Sequence, residues 1–163
     1  MTLPPKGLGQ LRKGRQSRTG RNYFITKAVL QRLAEDEPAE QGILMGEGIP
    51  ELIWESLQWL HNKEYIYLLA YVVMPDHIHI LFNLGQEKSL SQVMQQFGNF
   101  TGRRIAAKLG RAGSVWQESY YDRALRDELE LEQAYGYIVQ NPVKAGYAHE
   151  PEEWPWLYGP NRE

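Results

Sequence analysis

Residues 65–84 read YIYLLAYVVMPDHIHILFNL, and this stretch decides the fold. The apolar and aromatic run from Tyr65 to Met74 has the pattern of a buried strand. Pro75-Asp76 is turn chemistry. The segment from His77 to Asn83 reads as the returning strand, which predicts a tight antiparallel hairpin at the centre of a sheet. Side chains alternate along a strand, so His77 and His79 share one face while Ile78 and Ile80 share the other. The isoleucine face is expected under helices. The histidine face then looks to solvent or to another element.

On the N-terminal side, RNYFIT (21–26) predicts a first strand, and residues 34–49, with Pro38, Gly42, Gly46 and Gly48, predict a loop. Pro50 opens a helix whose apolar stripe is Leu52, Ile53, Leu57 and Leu60. On the C-terminal side, Ser89 or Ser91 caps a second helix, with Leu90, Val93, Met94, Phe97 and Phe100 on its buried side. Gly98 and Gly102 leave room for something to pack closely against it. Residues 114–125 read as a loop entering a short strand. Asp127 caps a third helix, expected to end near Asn141 because Pro142 follows. The tail, with Trp154, Trp156 and Tyr158, is expected to fold back onto the body. The order β, α, β, β, α, β, α predicts an α+β fold: an antiparallel sheet with helices packed on one face.

The chain has 163 residues, 42% hydrophobic and 23% charged, enough for one ordinary globular domain. It has no cysteine, which excludes disulfides, thiolate catalysis and cysteine-ligated zinc. It shows neither a transmembrane run nor a secretory apolar segment, which predicts a cytoplasmic protein without membrane contact. The net charge of −2 hides an asymmetry. Lys6, Arg12, Lys13, Arg15, Arg18, Arg21, Lys27 and Arg32 all precede Glu35, the first acidic residue. Residues 1–20 therefore read as a basic flexible arm ahead of a single domain, 21–163. A one-signed arm suits a phosphate backbone, and it equally suits a solvated tail. Arg103, Arg104 and Lys108 add charge near the end of the second helix, where they also complement its dipole.

Two imidazoles on one strand face can converge on a cation, but the pair needs a third ligand. Position 81 is Leu, so a histidine-triad hydrolase is not expected, and His61 and His149 fit no ligand pattern. In the third helix, at about 100° per residue, Leu131, Tyr135 and Ile138 cluster on the apolar side. Tyr137 falls about 130° from the centre of that stripe, flanked by Gln133 and Asn141 one turn away on either side. A free tyrosine phenol titrates near about 10, so a tyrosine attacking a phosphodiester needs charge neutralisation and orientation. A divalent ion on His77 and His79, completed by the Asn141 amide, would meet that need. Such donors suit Mn2+ or Mg2+.

MPDHIHILF (74–82) resembles the histidine–hydrophobic–histidine (HUH) motif of single-strand DNA endonucleases, and YIVQNPVKAG (137–146) is similar to the nucleophile helix of single-tyrosine transposases. WQESYYD (116–122) and WPWLY (154–158) resemble the REP-associated subgroup. The resemblance, over about residues 20–158, implies a ferredoxin-like (RRM-like) core. It implies that Tyr137 attacks single-stranded DNA to form a 5′-phosphotyrosine link, freeing a 3′-OH. His77, His79 and Asn141 would hold Mg2+ or Mn2+, with Gln140 or Gln133 as alternative amide ligands. The substrate implied is a repetitive extragenic palindromic (REP) hairpin, cut by a nucleoid-associated protein working as a monomer, or as a homodimer in related branches. Arg12, Lys13, Arg15, Arg18, Arg21, Arg103, Arg104 and Lys108 are the candidate DNA contacts, read from charge. A different reading is a non-catalytic nucleic-acid-binding module that stacks bases on Tyr120, Tyr121, Trp154 or Trp156. A metal-dependent small-molecule hydrolase would use the histidines and leave the arm and Tyr137 unexplained.

Overall fold

The computed structural model describes residues 20–159, so Arg12, Lys13, Arg15 and Arg18 lie outside the described residues. Five strands form one sheet: β1 (Asn22–Ala28), β2 (Ile66–Val73), β3 (His77–Leu84), β4 (Tyr121–Leu125) and β5 (Leu157–Tyr158). Their spatial order is β4-β1-β3-β2-β5, and every pairing is antiparallel. The hairpin of residues 66–84 thus lies inside the sheet, with β3 as its central strand. A register shift at Leu69 keeps Tyr71 and Val73 opposite Ile80 and Ile78, on the face that Leu68 and Phe82 already occupy.

Three α-helices complete the fold: α1 (Ile49–Asn62), α2 (Leu90–Lys108) and α3 (Glu128–Lys144). Ile25, Ile78, Ile80 and Phe82 pack with Ile53 and Leu57 of α1 and with Val93, Met94 and Phe97 of α2. Leu69, Ala70, Val72 and Leu81 point the other way, against Leu131 and Ile138 of α3 and against Trp154 and Leu157. The expectation of helices on one face holds for α1 and α2, whereas α3 crosses the opposite face. The cause is local: β2 and β3 carry apolar side chains on both faces, and each face needs cover.

Helix ends follow their capping residues. Ser89 caps α2, accepting from the Gln92 amide while the Gln92 side chain accepts from the Ser89 amide. Asp127 caps α3 through the Glu130 amide. Helix α1 starts at Ile49, one residue before the expected proline, after Gly48 in the left-handed region (φ 77°). Helix α3 does not stop at Asn141. Pro142 is buried inside it, and the last turn closes through the Ala145 amide to the Asn141 carbonyl (3.0 Å) and the Tyr147 amide to the Pro142 carbonyl (2.9 Å).

Phe100 was expected in the core but is 40% exposed, with Arg104 stacked 4.5 Å from its ring centroid. Thr101, fully buried, takes the inward position. Its hydroxyl donates to the Phe97 carbonyl (2.6 Å) and accepts from Trp116 Nε1 (2.9 Å). Gly98 and Gly102 border the same spot, against Lys27 and Trp116 respectively. Thr101→Val keeps the shape and strands a buried indole donor. It should lower unfolding stability by about 1–3 kcal/mol in urea titrations. A Thr101→Val, Trp116→Phe double variant should recover part of that loss, because the unpaired donor goes with the indole.

Candidate active site

His77 and His79 lie on the sheet face that α3 crosses, their ring centroids 4.8 Å apart. Each ring is fixed through Nδ1. His79 Nδ1 sits 2.8 Å from the Thr26 hydroxyl on β1, the residue directly opposite in the pairing. His77 Nδ1 sits 2.8 Å from Asp76 Oδ1. The other Asp76 oxygen accepts from Arg32 Nε (2.8 Å) and from the Leu33 amide (2.9 Å). Burial alone would raise the Asp76 carboxyl, but hydrogen bonds from Arg32, His77 and the Leu33 amide outweigh it and hold it low. An ionised carboxylate only accepts, so His77 donates through Nδ1 and keeps its lone pair on Nε2.

His79 is 4% exposed, and its Nε2 is buried without a hydrogen-bond partner among the described residues. Burial, then the neighbouring His77, pull the His79 pKa down to about 3. Burial also lowers His77, partly countered by Asp76. Both rings are therefore neutral at neutral pH. Because His79 titrates lower folded than unfolded, the unfolded chain binds the extra proton between pH 6.5 and about 3. Stability is present above that window and is lost as pH falls through it. His79 alone should make the metal-free protein about 2 kcal/mol less stable at pH 5 than at pH 7.5. Urea melts in EDTA would show this, and Asp76 would add its own loss only at lower pH.

Tyr137 meets this pair from α3. Its ring stands edge-on to His79 (centroids 5.2 Å, 78°) and to Phe24 (5.7 Å, 83°), and Phe24 stacks on His79 at 5.3 Å. Tyr137 remains 43% exposed, so one edge of it faces solvent. Tyr135, on the apolar stripe, packs into the core beneath α3. Asn141 is half-buried one turn beyond Tyr137, while Gln133 and Gln140 are exposed. Along α3, Asn141 is one turn past Tyr137 toward the helix end, and Gln133 is one turn before it.

The donor set suits a metal in one specific sense. The buried Nε2 of His79 has no hydrogen-bond partner among the described residues, and the His77 ring, its Nδ1 committed to Asp76, lies with its centroid 4.8 Å from that of His79. Among the described residues no three His, Cys, Asp or Glu side chains gather as a metal cluster. Any ion here needs an amide or a substrate oxygen to complete its shell.

Other expected contacts fall elsewhere. Arg103, Arg104 and Lys108 lie on α2, across the sheet from the histidines, and Arg104 and Lys108 line a groove with Glu51 and Glu55 of α1. Arg21 is exposed just before β1. Two cations counted with the arm are engaged: Lys27 is buried and donates to the Gln117 carbonyl, and Arg32 is bound to Asp76. His61 accepts from the Leu68 amide. Thr26, Phe24 and the full role of Asp76 were missed in the sequence. Only Asp76, adjacent to His77, carried a signal there.

Residues 39–141 match the family model described as transposase IS200 like. A Haemophilus influenzae protein provisionally named a REP-associated tyrosine transposase is 27% identical over 101 residues, 54% of this chain and 56% of that protein. The REP-associated tyrosine transposase of Escherichia coli K12 is 27% identical over 92 residues, 53% of this chain and 50% of its own length. The chain thus spans about half the length of these curated relatives. A REP-associated tyrosine transposase solved with a REP hairpin superposes with TM-score 0.67 at 19% identity, covering 85% of this chain and 76% of that one, and so shares the fold. The match over residues 39–141 runs through β2, β3 and most of α3, the elements that bring His77, His79 and Tyr137 together, and the chain belongs to the IS200-like transposase family.

Proposed function

We propose that this protein is a metal-dependent single-stranded DNA endonuclease and strand transferase that recognises REP hairpins. The observation that carries the reading is the Tyr137 ring packed at 5.2 Å on His79, whose buried Nε2 has no partner. In the reaction, the Tyr137 oxygen forms a bond to phosphorus and the bond from phosphorus to the 3′ oxygen breaks. The phenol proton leaves, the 3′ oxygen is released as a hydroxyl, and the DNA stays on the enzyme as a 5′-phosphotyrosine. His77, His79 and Asn141 would hold Mg2+ or Mn2+, which would supply Lewis-acid stabilisation of phosphate charge. Asn141 is favoured over Gln133 and Gln140 as the amide, because it is half-buried one turn from Tyr137 whereas both glutamines are exposed. The proteins named for REP association, one solved on a REP hairpin, support the substrate class.

The Tyr137–His79 contact forms within one chain, which supports a site assembled in cis by a monomer. A light-scattering mass checks this. We place the protein with the chromosomal DNA in the cytoplasm; no helix of the described residues is long and apolar enough to cross a membrane. Trp154 is buried with its Nε1 on the Val73 carbonyl, which removes one of the stacking rings a pure binding module would use. The test is direct. Labelled hairpin DNA with single-stranded flanks is incubated with the protein and Mn2+, then run on a denaturing gel. A covalent protein–DNA band is expected, and binding without that band would favour the module.

A further inference from the structure

β4 is an edge strand, and it brings two further side chains to the site. Its register sets Tyr121 opposite Thr26 and Arg123 opposite Phe24. Thr26 holds His79 and Phe24 touches Tyr137, so Tyr121 and Arg123 extend the same face one strand outward. Asp122, between them, is opposite Ile25 and points to the other face. Tyr121 is 58% exposed and the Arg123 side chain 51%. Along α3, Glu130, Gln133, Tyr137 and Asn141 recur at helical spacing on one side. Glu130 meets Arg123 at one end of that stripe, and Tyr137 meets His79 further along.

Two guanidiniums meet at the seam between α3 and β4. Glu130 is 8% exposed and carries both: Arg123 at 3.2 Å and Arg126 at 2.9 Å. Asp127, which caps α3 through the Glu130 amide, adds its charge on the Arg126 side. Arg126 also binds Glu130 through its backbone amide (2.6 Å) and Nε (3.0 Å), so it holds that carboxylate without help. Arg123 commits a single N–H to Glu130 and keeps the rest of its donors for an anion. An exposed aromatic ring beside a half-exposed guanidinium with donors to spare, leading to a tyrosine and two histidines, matches a single strand with stacked bases and a charged backbone.

We propose that Tyr121 and Arg123 form the track for the single-stranded DNA flank next to the scissile phosphate, Tyr121 stacking a base and Arg123 gripping a phosphate. This rests on the nuclease reading of the same site. The probe is a fluorescein-labelled hairpin with short randomised single-stranded flanks, its binding read by anisotropy in the Tyr137→Phe background. Tyr121→Ala should weaken binding about tenfold, and Tyr121→Phe should not. Arg123→Gln should reduce the slope of log affinity against log salt by about 0.7, and Arg123→Lys should restore it. Melting temperatures should hold, since Arg126 keeps Glu130 satisfied. A hairpin without flanks should bind parent and variants alike; equal losses on that probe place these residues at the stem and overturn the proposal. Unchanged affinity and salt slope in the variants also overturn it, even if the wild-type chain gives a covalent complex. A wild-type chain that gives none, while binding still depends on Tyr121 and Arg123, removes the nuclease reading and leaves the track standing.

Discussion

Tyr137→Phe protein should fold, bind hairpin DNA within about twofold of the parent, and lose the covalent complex by about a thousandfold or more. The substitution removes one oxygen and keeps the ring. Both edge-on contacts, to His79 and to Phe24, depend on the ring and survive. The hydroxyl is not needed for packing, because the side chain is 43% exposed and its polar end can be wet. Loss of cleavage with intact binding and intact melting temperature is therefore specific to the nucleophile. A Tyr137→Phe protein that still cuts would sink the assignment. Tyr135→Phe is the matched control, since that ring packs in the apolar layer under α3 and should leave cleavage unchanged.

The hairpin at 66–84 was legible because alternation, a proline turn and strand length all agree there. Tyr137 was legible because it breaks the apolar stripe of its own helix. The placement of α3 was not legible. Periodicity shows which side of a helix is apolar, and says nothing about which sheet face that side will cover. The apolar content of β2 and β3 on both faces held the clue, in Leu69, Val72 and Leu81, but it reads in sequence only as a hydrophobic run. Pro142 misled for a related reason. A proline in a last turn removes one hydrogen bond, and burial of its ring outweighed that loss. Thr26 could not have been found by spacing, because its role comes from cross-strand pairing with His79 over 53 residues. Lys27 shows the limit of charge counting. A cation tallied with a flexible arm is in fact a strand residue buried against Trp116 and Tyr120.

Replacing His79 should uncouple stability from activity. A buried ring nitrogen without a partner is a standing cost, because it has lost its water and gained nothing. His79→Leu removes that atom at similar volume. In EDTA the variant should stay within about 1 kcal/mol of the parent, because the partnerless nitrogen and the hydrogen bond to Thr26 are removed together. Its acid sensitivity between pH 7.5 and pH 5 should shrink, since the group whose pKa folding pulls down to about 3 is gone. At the same time Mn2+ binding, followed by electron paramagnetic resonance, should weaken by about a hundredfold, and covalent complex formation should fall with it. His77→Ala should lose metal as well, but it frees Asp76 from one hydrogen bond and so should cost stability rather than add it. Alanine at both positions should abolish metal-dependent cutting. Loss of Mn2+ binding without loss of stability in EDTA would mark His79 as held for the ion and not for packing. A His79→Leu protein destabilised by more than about 2 kcal/mol would mean that the ring is held for packing. Cutting by the wild-type chain that persists in EDTA would remove the ion from the reaction altogether.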